Sequence, residues 1–319
     1  MLSFTLRRLA QAVPVVLLST LGVFSLLHMV PGDPALALAG SDATPEVLQA
    51  MRRELGLDQP LPIQYAQWMS RVLQGDLGRS YASKLPVGEQ IAQRIPATLE
   101  LTIAGLLLAL LVSIPTGILA AVKERGPADW IVSSFNAFAI AVPNFWFGIL
   151  MILLFGLVLG WLPPSGRGDF GREPVAALQF LILPAVTLAL NQSAILSRFV
   201  KSSMLEVMHE DYIRTARAKG LREWLVIRRH VLRNALIPVA TVLGIQFGRL
   251  LGGAIVVESV FAWPGVGRLI LQGIGNRDYM IVQGTLLLLV VTFVLVNLVT
   301  DLAYGLFDPR IRLSRGIGR

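Results

Sequence analysis

LTIAGLLLALLVSIPTGILAAV, residues 101–122, runs for 22 positions without an acid or a base. As a helix rising about 1.5 Å per residue it is long enough to cross a hydrocarbon core of about 30 Å. Working outward, five more stretches have the same character: Leu9–Val30, with Pro14 near its start, Ile131–Trp161, Leu178–Ser197, Ala235–Val257 and Met280–Thr300. Water-free surroundings force each span to satisfy its own backbone, so these runs predict helices. The reading is an all-α, polytopic membrane protein with six transmembrane helices.

Composition agrees with a bilayer protein. Of 319 residues, 54% are hydrophobic and 15% charged. There is no cysteine, which removes disulfides and thiolate metal sites. The net charge of +8 would suggest nucleic acid only if its placement were ignored. Segments 1–8, 123–130, 198–234 and 301–319 hold 17 Lys and Arg against 8 Asp and Glu, whereas the remainder holds 11 against 12. Basic residues are retained on the cytoplasmic side, so these four segments are expected inside, with both termini. Arg7 and Arg8 precede a first span that is too long for a removable signal peptide and reads as a retained anchor.

The expected outside loop from about Pro31 to Arg94 is long. It opens with the turn Pro31-Gly32-Asp33-Pro34. Thr44-Pro45-Glu46 supplies an N-cap, a proline at the first helical position and an acid near the positive dipole end. Gly56 is a helix stop, and a second short helix is expected near Ile63–Leu73. Its apolar residues, Leu55, Leu57, Trp68, Met69, Val72 and Leu73, predict a small cap on the membrane surface.

Between the fourth and fifth runs lies EDYIRTARAKGL, residues 210–221. Asp211–Lys219 lacks proline and glycine and is rich in helix formers, and Gly220 stops it. Beyond Gly220, Leu221, Trp224, Leu225, Val231, Leu232, Ala235 and Leu236 recur at helical spacing, with Arg222, Arg228, Arg229 and Arg233 between them. A short exposed helix, a glycine bend and an amphipathic ramp rising to Pro238 are predicted. Two readings stay open on these residues: a surface gripped by a cytoplasmic partner, or a basic helix resting on anionic lipid.

Polar groups inside spans are costly and mark either helix contacts or a pathway. Asn136 and Asn144 flank the kink expected at Pro143. Asn191 and Gln192 stand mid-way in span four, and Gln246, Arg249 and Glu258 in span five. Arg249 and Glu258 are nine residues apart, which puts them on opposite faces, about 13 Å apart in height, so they do not pair within their helix. Arg249 then needs a partner-chain carboxylate, freed carbonyls, water or a substrate carboxylate. Gly244, Gly248 and Gly252 form one stripe where another backbone can approach, read as a tight seam with a neighbouring helix or a partner.

Several chemistries lack their residues. No Gly-x-x-x-x-Gly-Lys-Ser/Thr run is present to cradle ATP. Gly166-Arg167-Gly168-Asp169-Phe170-Gly171 spells a dinucleotide fingerprint but follows a span rather than a strand, and is rejected. The histidines His28, His209 and His230 have no zinc spacing, and no nucleophile is set beside a base.

The whole chain, in order, resembles the membrane-spanning subunits of ATP-binding-cassette importers in the dipeptide, oligopeptide and nickel permease family. The similar runs are Pro31-Gly32-Asp33-Pro34, Gly75-Asp76-Leu77-Gly78, Thr98-Leu99-Glu100-Leu101, Ser203-Met204-Leu205-Glu206-Val207, Phe261-Ala262-Trp263-Pro264-Gly265-Val266-Gly267 and Asp308-Pro309-Arg310-Ile311-Arg312. It looks most like the first permease of such a pair. Against the general importer motif, Glu-Ala-Ala-x3-Gly-x9-Ile-x-Leu-Pro, Arg214-Thr215-Ala216 and Gly220 match only at Ala216 and Gly220.

The resemblance implies a type I importer transmembrane domain over 95–305, with a cytoplasmic coupling loop at 198–235. Residues 1–94 are then the first helix and the outer loop, and 306–319 a cytoplasmic tail. It further implies that Glu210, Asp211, Tyr212, Arg214, Ala216, Arg217, Gly220 and Leu221 couple to the ATPases. The implied partners are a homologous second permease, two cytoplasmic ATPases that use ATP and Mg2+, an extracytoplasmic substrate-binding protein and membrane lipid. Neither a cofactor held by this chain nor nucleic acid is implied. Dipeptides or short oligopeptides are the first expected cargo, with glutathione, nickel chelates and opines as alternatives. A stand-alone secondary transporter or channel is the rival, opposed by the lack of a repeated half-chain pattern. A membrane enzyme lacks a catalytic set.

Overall fold

The computed structural model describes residues 2–29, 34–40, 43–54 and 56–307. The helices in chain order are α1 (Leu2–Met29), α2 (Pro34–Ala39), α3 (Pro45–Glu54), α4 (Leu61–Leu73), α5 (Val87–Val122), α6 (Pro127–Ala141), α7 (Asn144–Met151), α8 (Pro174–Met208), α9 (Asp211–Ala218), α10 (Glu223–Leu225), α11 (Leu232–Val260), α12 (Val266–Gly275) and α13 (Tyr279–Phe307). A wider π-helical turn extends α7 over Ile152–Val158, and another joins α10 to α11 over Val226–Val231. Among the described residues the β content is one isolated bridge, Arg79 with Pro86.

Helix occupies the described part of five of the six predicted runs and most of the other. Val87–Val122, Pro174–Met208, Val242–Val260 and Tyr279–Thr300 are each long and apolar enough to span a membrane. The first run is α1, whose apolar part is the shorter Ala10–Ser25. The third is a broken span, Pro127–Ala141 and Asn144–Val158, bent by 99°. Pro143 explains the break: it has no N–H to donate to Ala139 and holds Val142 in extended backbone, with ψ 125°.

Two expectations change in extent. The second helix begins at Val87, well before Leu101, and the fourth continues to Met208 past Ser197. Polar residues prolong a helix beyond the apolar run when nothing in them stops it, so hydropathy marks the buried part and not the helix ends.

The chain forms two compact units, 1–98 with 264–295 and 99–263 with 296–319. In the first, α3 and α4 occupy the predicted places, and Gly56 has φ +68°. The additional helix α2 begins at Pro34; the turn expected at 31–33 lies outside the described residues, as does the tail from 308. Burial gives the expected cap an inward-packed face. Trp68 is buried in a cluster with Phe24 and Leu287, and Tyr65 meets Phe24 edge-on at 5.4 Å. The Tyr65 hydroxyl also hydrogen-bonds Thr20 at 2.9 Å, so α4 is anchored on α1.

Asp278, nearly fully buried, organises the rest of this unit. Its carboxylate accepts the Ser80 hydroxyl, the Ala82 N–H (3.1 Å) and the Ile281 N–H at the start of α13 (3.3 Å). Beside it, burial and then the Asp278 charge push the Tyr81 hydroxyl up to about 12. The Val266 N–H, at the first turn of α12, donates to Thr98 Oγ1 at 2.8 Å.

The second unit is held by α8, which packs along α11, α6 and α7. Its core includes Ala109, Ala189 and Leu196 in one layer and a second layer beneath α9 described below.

Candidate functional site

The amphipathic pattern of 210–221 produces the expected exposed element. Glu210 is extended at the head of α9, and Asp211 occupies the favourable acidic position in its first turn. Arg214 pairs back to Asp211, both on the outer face. Ile213 and Ala216 face inward and are buried against Ala121 of α5, Val200 and Met204 of α8, Val226 and Val231 of the π turn, and Ala235 and Val239 of α11. The helix is therefore seated on the ends of three long helices, so a force on α9 reaches all of them through packed side chains.

Its turn is clamped. Gly220 has φ +77°, and a Cβ there would meet nothing within 4 Å, so conformation rather than space requires glycine. Across that bend Arg217 grips Glu223 with two hydrogen bonds, Nε to Oε2 at 3.1 Å and Nη2 to Oε1 at 2.7 Å. The pair lowers the Glu223 carboxyl below its ordinary range and raises Arg217. Asn234 at the foot of α11 donates to the Tyr212 hydroxyl at 2.9 Å, a tie the sequence did not disclose. Around this frame Tyr212, Leu221, Trp224 and Leu225 remain exposed, with the Arg228 guanidinium 5.7 Å from the Trp224 ring. Aromatic and aliphatic surface ringed by arginine is the composition of a protein contact.

The intramembrane polar residues separate into two groups. Asn136 is buried and donates to Ser197 Oγ at 3.2 Å, and that hydroxyl lies 3.0 Å from Thr116 Oγ1. This ties α5, α6 and α8 together, the helix-contact reading. Asn191 reaches the Ile140 carbonyl at 3.5 Å, a carbonyl whose helical partner is lost at the break. Asn144 opens α7, half-buried. Gln192 and Gln246 are buried, and the side-chain oxygen of each has no hydrogen-bond partner among the described residues.

Arg249 is exposed and Glu258 fully buried, so the helix does place them on different faces. The glycine stripe is not one seam within the chain. At Gly244 a Cβ would collide with the Thr300 side chain of α13, Gly248 is buried, and at Gly252 a Cβ would find open space.

Sequence reading missed two further ion pairs. Asp129, nearly buried at the start of α6, binds Lys201 of α8, the Arg125 N–H (3.0 Å) and Ser133 Oγ (3.1 Å). Arg167 makes a two-pronged ion pair with Glu100 and stands 6.0 Å from the Trp263 ring. The run Gly166–Gly171 is thus a structural loop, its Gly166 N–H bonded to the Phe261 carbonyl at 2.8 Å. The available signal was a charge near a span end, without an opposite charge in its own helix.

Residues 113–313 match the family described as binding-protein-dependent transport system inner membrane component, and residues 1–102 match its N-terminal family. The chain belongs to this family of transport permeases. A protein of Brucella abortus (strain 2308) with the provisional name peptide transport system permease protein is 44% identical to the permease over 312 residues, covering 98% of this chain and 99% of the relative. The glutathione transport system permease protein GsiC of Salmonella typhimurium is 43% identical over the same span, with the same coverage. Among solved structures, the MetNI methionine ABC transporter in inward-facing conformations matches with a TM-score of 0.56 at 20% identity, over 69% of this chain and 96% of that one. The permease therefore has the type I ABC importer transmembrane fold and is a multi-pass inner-membrane protein.

Proposed function

We propose that this permease carries dipeptides or short oligopeptides inward, driven by two cytoplasmic ATP-binding-cassette ATPases that dock on α9. A homologous second permease completes the pathway, and an extracytoplasmic binding protein delivers cargo. Both termini are cytoplasmic in this reading, which follows from the charge bias. The observation that carries it is the seating of α9: exposed outside, buried inside on the ends of α5, α8 and α11. Closure of the ATPases moves α9 as a body, the packed layer transmits that motion to the spans, and hydrolysis resets them. Transport needs no covalent chemistry on this chain. Peptide and glutathione carriers are almost equally similar to it, so glutathione, itself a short peptide, is the second reading.

Reconstitution in vesicles with the partner subunits tests this. Labelled dipeptide or glutathione should accumulate only with the binding protein and ATP, and uptake by the lone chain would overturn the importer reading. Arg249, exposed on α11 without a described partner, meets the substrate carboxylate in the pathway. Arg249→Gln should lower uptake about tenfold or more with the subunits still co-purifying, and Arg249→Lys should keep part of it, since the charge survives without the planar fork. Loss of the second permease from purified Arg249→Gln would instead make Arg249 a subunit contact.

A further inference from the structure

Between α6 and α8 lies an open groove of about 870 Å³, outside the α9 surface. One part of its wall is apolar, from Ala137, Ile140, Ile195, Phe199 and Leu205; the other carries Ser133, Arg198, Lys201 and Ser202. The two cations are not equivalent. Lys201 is spent on Asp129, whereas Arg198 is exposed and has no acidic partner among the described residues. Ser133 likewise donates to Asp129, so the groove offers one uncompensated guanidinium, the Ser202 hydroxyl and an apolar trough. Its setting is also informative. Trp130, Ile131 and Phe138 on α6 are more than half exposed, so this helix presents a bare apolar flank.

We infer that this groove holds an anionic phospholipid of the cytoplasmic leaflet, its phosphate on Arg198 with the Ser202 hydroxyl beside it. The acyl chain lies along Ile140, Ile195 and Phe199. The charge decides the class of occupant. A basic pocket between spans on the cytoplasmic side suits an acidic headgroup, and the planar guanidinium binds phosphate in two-pronged fashion. A zwitterionic headgroup would bring its own cation towards Arg198 and lose that advantage. The assignment of leaflet rests on the orientation proposed above. In this position lipid would brace α6 against α8 beside the broken span, which makes it a structural ligand of the transport cycle.

Native mass spectrometry on the assembled importer, released from detergent, tests the assignment. Dioleoyl-phosphatidylglycerol should be retained over dioleoyl-phosphatidylcholine, which has the same chains. Arg198→Gln should lower phosphatidylglycerol retention about fivefold, with subunit composition unchanged. Arg172→Gln, removing an exposed arginine elsewhere, should leave retention as it was. Equal retention of the two lipids, or no effect of Arg198→Gln, overturns the proposal. So does efficient cross-linking of Phe199→Cys to the second permease, which would make the groove a subunit seam, or protection of Ser202→Cys by dipeptide alone, which would make it a cargo path. A reporter fused after Arg319 reads orientation separately: an extracytoplasmic signal would refute the topology, whatever the lipid result.

Discussion

Two glycines in the same unit are required for opposite reasons. Gly220, in the bend after α9, has open space around it and a backbone that other residues rarely adopt. Gly117, where α5 crosses α8, lies in the last two turns of α5 in the crowded crossing: a Cβ there would stand 2.7 Å from Val200 Cβ and 2.8 Å from the Ser197 carbonyl. The first is a conformational hinge on the surface, the second a point of close approach in the interior. The α9 surface is thus specified by local backbone geometry, and the span bundle by fit between distant segments.

The largest effect should come from the interior. Gly117→Ala is expected to destabilise the permease by about 1–3 kcal/mol, seen as a lower melting midpoint in detergent. Val200→Ala should not restore it, because the obstructing Cβ and the Ser197 carbonyl remain. Gly244→Ala should cost a similar amount, but Thr300→Gly should relieve it, since the nearest obstructing atoms belong to that one side chain. A wild-type midpoint for Gly117→Ala would break the comparison by showing that the crossing yields freely.

At the surface the substitution pattern should differ in kind. A left-handed backbone costs most residues about 1–2 kcal/mol, less for asparagine. Gly220→Val should uncouple ATP hydrolysis from uptake in the assembled complex, with insertion intact, whereas Gly220→Asn should keep most transport. Equal activity of the Val variant and wild type would reduce the bend to a passive connector.

The smallest effect belongs to the Arg217–Glu223 clamp, a solvent-exposed pair worth about 1 kcal/mol or less. Arg217 holds the Glu223 carboxyl below its ordinary value, so the clamp is complete above the unfolded carboxylate range, about pH 4.3, and is lost as pH falls through the lower folded value. Proteolytic nicking of this loop should be flat from pH 5 to 8 and rise only in stronger acid. Glu223→Gln should raise it throughout and remove the acid dependence. A dependence centred near pH 6 would show that the clamp does not control this loop.

Much of this architecture was readable without coordinates. The six apolar runs, the stop at Gly220, the break at Pro143 and the helices at Pro45 and near Ile63 each follow from residue type and order. The helix α9 was readable too, because 211–219 holds helix formers without proline or glycine and Gly220 stops it; its buried face, Ile213 and Ala216, was not. Helix ends were less legible: Gln90, Arg94 and Lys201 extend helices past their apolar cores without any local signal.

What the order of residues determines by itself is where the backbone must be helical, apolar or turned, since those costs are paid within a few neighbouring residues. Only the tertiary structure decides which polar groups satisfy one another. Asn136 meets Ser197 across 61 positions, Glu100 meets Arg167 across 67, Asp129 meets Lys201 across 72 and Ser80 meets Asp278 across 198. A buried polar group must find a partner, but its chemistry names only the kind of partner, and several of that kind are available along the chain. Packing of α8 on α6 brings two of these pairs to hydrogen-bonding distance, the loop before α8 returning to α5 closes the Glu100–Arg167 pair, and the docking of the outer loop at the start of α13 closes the fourth in the first unit. The same packing leaves Arg198 and Arg249 exposed on their helices, a placement that residue type alone does not announce.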